Sequence, residues 1–356
     1  MSARNALIGQ RLERSHYFSS IESAHQHMLE HNAAASADKF PRAARGIAGF
    51  WHTYSRSFHL HLQRQLTHHH QQSAVRALCV GNRPLLADLV SASSRAASRW
   101  LSAAPSQLGR QQLTNQQFAV ALRQRLHLPL FDGMPTVCVC GKRIDLPEQQ
   151  GHVHWCSKTK VAGVTLRHNH VLTTLASIAQ SAGITARVEL TQPVFDPAAR
   201  RARPLRPDLL LVGSTATVMV DVAVCHPSAP YRVKNGVMPQ SESDRTLHAI
   251  QRMEGAKIAK YRALADEYGA RFAPFACDVF GAIGSQGHEL VDWICGEAAA
   301  SSLADAADSR EFRRAAYARL SAAIQRGSAA GAVDAARRIR SAAARRVDAV
   351  PGVIAA

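Results

Sequence analysis

The most informative hydrophobic pattern lies in the middle of the chain. Residues 206–224 read RPDLLLVGSTATVMVDVAV, two apolar runs separated by Gly-Ser-Thr, which predicts two buried strands at 208–213 and 216–225. Upstream, RHNHVLTTLASIAQSAG places its apolar residues at helical spacing and predicts a helix over about 167–182, closed by Gly183. TARVELTQPV follows as a strand near 185–194, and the loop FDPAARRARPLR after it is rich in Pro and Arg. Downstream, a helix is expected at about 243–268, opened by the capping pattern Ser241-x-x-Asp244. A strand, RFAPFACDVF, is expected at about 271–280, with helices to the end. The order α-β-β-β-α-β predicts an α/β sandwich around a mixed sheet.

The flanks are less legible. Residues 1–91 are rich in His, Gln, Ala and Ser, with helical periodicity around FWHTYSRSFHLHLQRQL, and are expected to be helical and partly disordered. The run His68–His70 reads as a solvated helix face or loop before it reads as a metal site. Residues 92–137 form a helical linker, SSRAASRWLSAAPSQ and then LTNQQFAVALRQRLHLPL. In the second, Phe118, Ala121, Leu122, Arg125 and Leu126 share a face, and Leu128-Pro129 stops the helix. Residues 138–166 hold a cysteine/histidine cluster, 167–300 the α/β domain, and 301–356 Ala/Arg-rich helices. The stretch 310–346 holds ten arginines against Glu311 and Asp334, which suits a solvated face and a phosphate-tracking surface equally.

Composition narrows the partner. The 356 residues carry 43 Lys+Arg against 26 Asp+Glu, a formal net charge of +17, with arginine dominant. Arginine excess suits bidentate phosphate contact, so a polyanion, most simply nucleic acid, is the expected partner. A GC-rich coding sequence that inflates Ala and Arg contributes to the same bias. No apolar run approaches the roughly 20 residues that span a bilayer. MSARNALIGQRLERSHYF lacks the apolar block of a secretory signal, so a secreted protein is not expected. Seven cysteines, an odd and clustered set, argue for reduced thiols and against a disulfide framework.

Against that background two residues stand out. Asp208 and Asp221 each interrupt a hydrophobic strand. Alternation puts Asp221 on one face with Met219 and Ala223, and Val220, Val222 and Val224 on the other. Neighbouring strands lie about 4.8 Å apart, and a hard cation such as Mg²⁺ takes oxygens at about 2.1 Å, so two carboxylates on adjacent strands can share one ion. Without an ion the pair would be costly in an apolar setting. Taken singly, Asp208 reads as a turn residue and Asp221 as an arginine partner; taken together, they read as a metal site. Glu189 is a third acid, read first as an arginine partner, and His226 before Pro227 reads as strand-end geometry.

CVCGKRIDLPEQQGHVHWC supplies Cys138, Cys140, His152 and Cys156, with His154 competing for the histidine position. Three thiolates and one imidazole make a closed structural zinc site. Its expected role is to fold a small module that places nucleic acid beside the α/β domain. Arg167, His168 and Asn169 are candidates for phosphate contact at a helix N-terminus, although His168 also fits as a packed helix residue. Arg200, Arg201, Arg203 and Arg206 are phosphate-contact candidates from the Pro/Arg loop.

Pro207-Asp208, twelve residues, then Asp221 resembles the PD-(D/E)xK nuclease pattern, whose core has the same element order. The lysine usually found two residues after the second acid is replaced by Ala223, and KIAKY, Lys257 to Tyr261, lies on the next helix. This displaced-lysine arrangement resembles the restriction-like endonuclease region of site-specific non-LTR retrotransposon proteins. RLHLPL, the Cys/His knuckle, RHN, RPD, VDVAVCHP, KIAKY and PFACDVFGAIG occur in that order over roughly 95–300. The resemblance favours His152 over His154 as the zinc ligand. It implies metal-dependent DNA nicking that exposes a primer end, in the nucleus, with Mg²⁺ or Mn²⁺ on Asp208, Asp221 and the Val222 carbonyl. Lys257 or Lys260 would stabilise charge on the phosphate, and the element's RNA is a second candidate partner. A reverse transcriptase needs a paired-aspartate tyrosine motif, and no YADD-like stretch occurs in this sequence. The alternative is a remnant that binds nucleic acid through its knuckle and arginines but does not cut.

Overall fold

The computed structural model describes residues 81–103, 112–144, 149, 151–188, 205–229, 235, 239, 244, 246–301 and 306–348. All but Gly81 belong to one compact unit, Asn82–Ala356. Strands β1 (Thr185–Val188), β2 (Leu209–Val212), β3 (Thr217–Cys225) and β4 (Arg271–Asp278) lie side by side in that order. The first two pairings are antiparallel and β3–β4 is parallel. A parallel pair cannot be closed by a hairpin; the chain crosses between β3 and β4 through helix α5 (His248–Glu267), described below with the others. β3 is flanked on both sides and buried along most of its length, which is why it reads as a continuous apolar run and not as an alternation.

The helices in chain order are α1 (Arg83–Ser93), α2 (Arg99–Ser102), α3 (Asn115–Arg125), α4 (Lys160–Ser181), α5, α6 (Ser285–Ser301) and α7 (Ala306–Asp348). One sheet face, with Leu209, Leu211, Val218, Val220, Val222, Ala273, Phe275 and Cys277, packs on α4, α6 and α7. The other face presents Met219 and Phe272 to Tyr261 and Leu264 of α5. The result is a mixed α/β layered structure, as the pattern of elements predicts. Glu297 of α6 closes the β2–β3 turn, its carboxylate accepting from the Ser214 and Thr215 backbone N–H groups at 2.6 and 3.1 Å.

Several local expectations are corrected. α4 starts at Lys160, seven residues before the expected boundary, so the RHN residues lie inside the helix. α5 starts at His248 with Leu247 at its N-cap and no side-chain cap bond. Asp244 accepts from the Thr246 N–H at 2.9 Å and pairs with His248 Nε2 at 2.7 Å, a local turn in place of the expected capping box; Ser241 lies outside the described residues. The buried face of α3 is Val120, Ala121 and Gln124, while Phe118 and Leu126 are exposed. Its N-terminus carries a capping box, Thr114 with Gln117. α1 falls in the same compact unit as the elements that follow it. The second half of the expected 185–194 strand lies outside the described residues.

The largest departure is α7. Residues 306–348 form one helix of 43 residues, about 65 Å long at 1.5 Å per residue. It is a structural spine and not a flanking segment. Alanine's high helix propensity carries its length, and Ala316, Leu320, Ala323, Ile324, Ala332 and Ala336 are buried along it. It meets α4 backbone to backbone: a Cβ at Gly331 would lie 3.1 Å from the Gly163 Cα, and the reverse is equally close. Among the described residues no helix is long and apolar enough to cross a membrane.

Candidate metal and nucleic-acid sites

The antiparallel register Leu209↔Val220, carried one step further, sets Asp208 opposite Asp221. Asp221 turns toward α5, and Asp208, just ahead of β2, stands at the mouth of the same strand pair. β2 begins after Asp208, and the Asp208 Oδ2 accepts from the Val222 N–H at 2.7 Å. Asp221 is 3% exposed, and its Oδ2 makes no hydrogen bond of ordinary geometry. The Lys257 ammonium from α5 contacts that oxygen in an ion pair. The two lysines therefore part company. Lys260 donates to the Tyr261 hydroxyl at 3.0 Å, and that hydroxyl donates to the Arg206 carbonyl at 3.1 Å. Burial, reinforced by the charges of Asp221 and Asp208, pushes the Tyr261 phenol above its usual range, so it remains a neutral donor.

His168 belongs to the same group, through a route the sequence did not suggest. Its Nε2 meets Asp208 Oδ2 at 3.0 Å and its Nδ1 meets Asn169 Oδ1 at 3.1 Å. The hydrogen bond to Asp208 raises the imidazole pKa, with burial opposing. His168 therefore orients Asp208 and is not a helix-terminus phosphate contact. Arg167 is corrected too: it is 4% exposed, in a mid-helix position, with Nη1 3.5 Å from His154 Nδ1. A guanidinium buried there is not presented to a polyanion. Arg206 is exposed, two residues ahead of Asp208. Arg200, Arg201, Arg203, Glu189 and His68–His70 lie outside the described residues.

The cysteine cluster is built from two short pieces. In the first, the Cys138 N–H donates to the Lys142 carbonyl at 2.8 Å and Gly141, at φ 88°, turns the chain. In the second, the short 3₁₀ helix Gly151–His154 leads into a turn in which the Cys156 N–H donates to the His152 carbonyl at 2.9 Å. Ligand atoms of Cys138, Cys140, His152 and Cys156 all lie within 4.8 Å of one another. Cys138 Sγ and Cys156 Sγ are 3.6 Å apart, and Cys140 Sγ and His152 Nε2 3.2 Å. Tetrahedral zinc, with bonds of about 2.0–2.3 Å, has ligand–ligand edges of about 3.5–3.8 Å, so the four residues fit a metal such as zinc. His154 is outside the group, buried beside Arg167, with its pKa pushed down to about 3 by burial.

The knuckle is not a free-standing module. Cys138, Ile144, Val153 and Cys156 share one apolar cluster with Ala329, Ala332, Ala335 and Ile339 of α7. On its inner side Trp155 packs edge-on against His226 at 4.4 Å, and His226 lies 5.6 Å from both His154 and Phe280. His226, which follows the last residue of β3, thus joins the knuckle to the sheet. Its Nδ1 faces Ser228 Oγ at 3.2 Å, and that hydroxyl donates to Asp88 of α1 at 3.0 Å.

Tyr261 and His168 are the residues of the acid site whose roles sequence reasoning missed. Tyr261 carried a usable signal, since it lies four residues from Lys257 and shares its helix face. No family model and no curated protein matches this chain.

Proposed function

We propose that this chain is a divalent-metal-dependent DNA endonuclease module of the restriction-like type, derived from a retrotransposon protein, that nicks DNA to expose a primer end. The observation that carries the reading is the constellation of Asp208 and Asp221 at opposed positions of adjacent strands with the Lys257 ammonium brought in from α5. The pair suits a hard cation chemically: Asp208 is partly open to solvent, and the buried Asp221 Oδ2 has a charge partner but no ordinary hydrogen bond. Asp208, Asp221 and the Val222 carbonyl would hold Mg²⁺ or Mn²⁺. When bound, such an ion polarises a phosphate and lowers the pKa of water.

The chain's own groups do the rest. His168 and the Val222 N–H fix the Asp208 carboxylate from two directions, leaving its other oxygen for a ligand. Lys257 supplies a positive charge beside Asp221, placed to stabilise negative charge growing on a phosphoryl oxygen. Lys260 is held on Tyr261 and steadies the floor of the site. Arg206 stands exposed at its edge, where a backbone phosphate would arrive. The Cys₃His cluster, loaded with zinc, would hold the knuckle against α7.

The ion pair of Lys257 with Asp221 also satisfies the buried carboxylate without a metal, which favours the second reading, a nucleic-acid-binding remnant that no longer cuts. Purified protein given supercoiled plasmid with Mg²⁺ or Mn²⁺ separates the two. Nicking that is abolished by Asp208→Ala and by Asp221→Ala, with DNA binding retained, is the expected result. Absence of nicking, or cutting by the double alanine variant equal to wild type, establishes the remnant reading.

A further inference from the structure

A groove of about 250 Å³ runs between the knuckle and the C-terminal half of α7, lined by Pro135, Thr136, Val137, Val139, Ile339, Ala342 and Ala343. Its lining side chains are apolar apart from Thr136, and none is ionisable. The floor is firm. Ile339 is 1% exposed and belongs to the apolar cluster that includes Cys138 and Cys156. The knuckle wall is short extended backbone in which Val137 bridges Arg143.

Exposed cationic residues neighbour the lining in the chain. Bridge partners present their side chains on one face, so Arg143 flanks the Val137 wall; Arg143 and its neighbour Lys142 are both exposed. On α7, residues three and four apart share a side, which sets Arg338 and Arg345 on either side of Ala342, and both are exposed. Asp334, the acid on this part of α7, is paired with Arg338 at 2.8 Å. Arg340 stacks over the Phe131 ring at 5.7 Å and donates to the Asp132 carbonyl. A largely apolar slot with exposed cationic side chains on its neighbouring residues is complementary to a nucleotide, a flat base for the slot and its phosphates for the cations.

We propose that this groove binds single-stranded nucleic acid, taking one unpaired base between the knuckle and α7 while Lys142, Arg143, Arg338 and Arg345 hold the phosphates on either side. A duplex cannot use the slot, because its bases are stacked and paired away from such a surface; an unpaired base can enter it. The proposal extends the nuclease reading, since a nicked duplex can present an unpaired end, but it does not depend on cutting.

The test uses the full, zinc-loaded chain and a fluorescent twelve-nucleotide single strand followed by anisotropy. Ala343→Glu places a carboxylate in the slot, and Arg345→Glu reverses one neighbouring charge. Each is expected to weaken binding by about tenfold, with zinc content unchanged and a salt slope reduced in Arg345→Glu. A strand with abasic sites is expected to bind wild type about fivefold more weakly than the normal strand, and Ala343→Glu is expected to lose that difference. Three results overturn the proposal. They are unchanged affinity in both variants, equal wild-type affinity for normal and abasic strands, or displacement of the strand by an acidic amphipathic peptide at lower concentration than by unlabelled strand. Nicking is scored separately on supercoiled plasmid with Asp208→Ala as control. Loss of single-strand binding with nicking intact, and loss of nicking with single-strand binding intact, therefore refer to different sites.

Discussion

Replacing Lys257 by Met removes the charge that faces Asp221 while keeping most of the side-chain volume. The Asp221 side chain is 4% exposed and that of Lys257 28%, so the pair is neither a surface ion pair nor a fully buried one. Surface pairs contribute about 0–1 kcal/mol, whereas leaving one partner of a buried pair uncompensated costs about 3–5 kcal/mol. An intermediate loss of about 2 kcal/mol is expected. For the unit Asn82–Ala356 this lowers Tm by roughly 3–4 °C. A divalent cation held by Asp208 and Asp221 should then stabilise the variant more than wild type, because the neighbouring ammonium that repels it is gone. At 10 mM cation and a Kd of about 1 mM, the linkage is about 1.4 kcal/mol. Differential scanning calorimetry with and without Mn²⁺ measures both quantities. Asp221→Asn in the same background should recover most of the loss and abolish the cation effect. An unchanged Tm for Lys257→Met, or equal cation shifts in the two proteins, would refute the proposed metal-binding geometry.

Stripping zinc with a chelator at neutral pH should unfold more than the knuckle, since Cys138 and Cys156 share their core with α7. Structural zinc contributes about 10–16 kcal/mol in small peptides; far-UV circular dichroism should lose helix signal and recover it on zinc return, and one zinc per chain should be counted by elemental analysis. A second expectation concerns Asp278, which is fully buried, accepts from the Phe280, Gly281 and Ala282 N–H groups, and has its carboxyl pushed from 3.8 up to about 6 by burial. An acid that holds its proton more tightly when folded makes stability fall as pH rises between about 4 and 6, after which it levels off. The displacement amounts to about 3 kcal/mol. Asp278→Asn keeps the acceptor and removes the charge, so its urea midpoint should exceed that of wild type at pH 7 and converge with it near pH 4. Parallel profiles would count against the burial argument.

Local patterning was enough for the sheet and its helices because those elements bury one face each, and burial writes itself as periodicity. β3 could be placed from TVMVDVAVC within a residue, and the turn before it from Gly-Ser-Thr. The start of α4 was not legible, since the residues preceding RHN are mixed and carry neither an N-cap bond nor an acidic first turn. The C-terminal spine was misread for a related reason. Alanine is compatible with solvent and with a tight helix crossing alike, so RRAAYARLSAAIQRGSAAGAVDAA does not announce that its small residues meet another backbone. Gly331 becomes informative only once Gly163 is known to lie opposite it.

The chemistry divides in the same way. Cys138, Cys140 and Cys156 are a compact local cluster, and the residue types alone point to a metal. The resemblance pointed to His152 over His154, and the fold gives the reason: the 3₁₀ turn aims His152 at the three cysteines, while His154 is buried beside Arg167. The acids Asp208 and Asp221 were conspicuous as charges inside apolar strands. What surrounds them was not, because Lys257 and His168 arrive from helices 36 and 40 residues away in the chain from Asp221 and Asp208 respectively. Sequence by itself determined where the sheet's strands bury apolar surface and which residues carry charge, since both are properties of short windows. Tertiary structure alone decided which lysine meets which acid, that Arg167 is buried, and that a knuckle and a distant helix share one core, since these depend on packing between segments far apart in the chain.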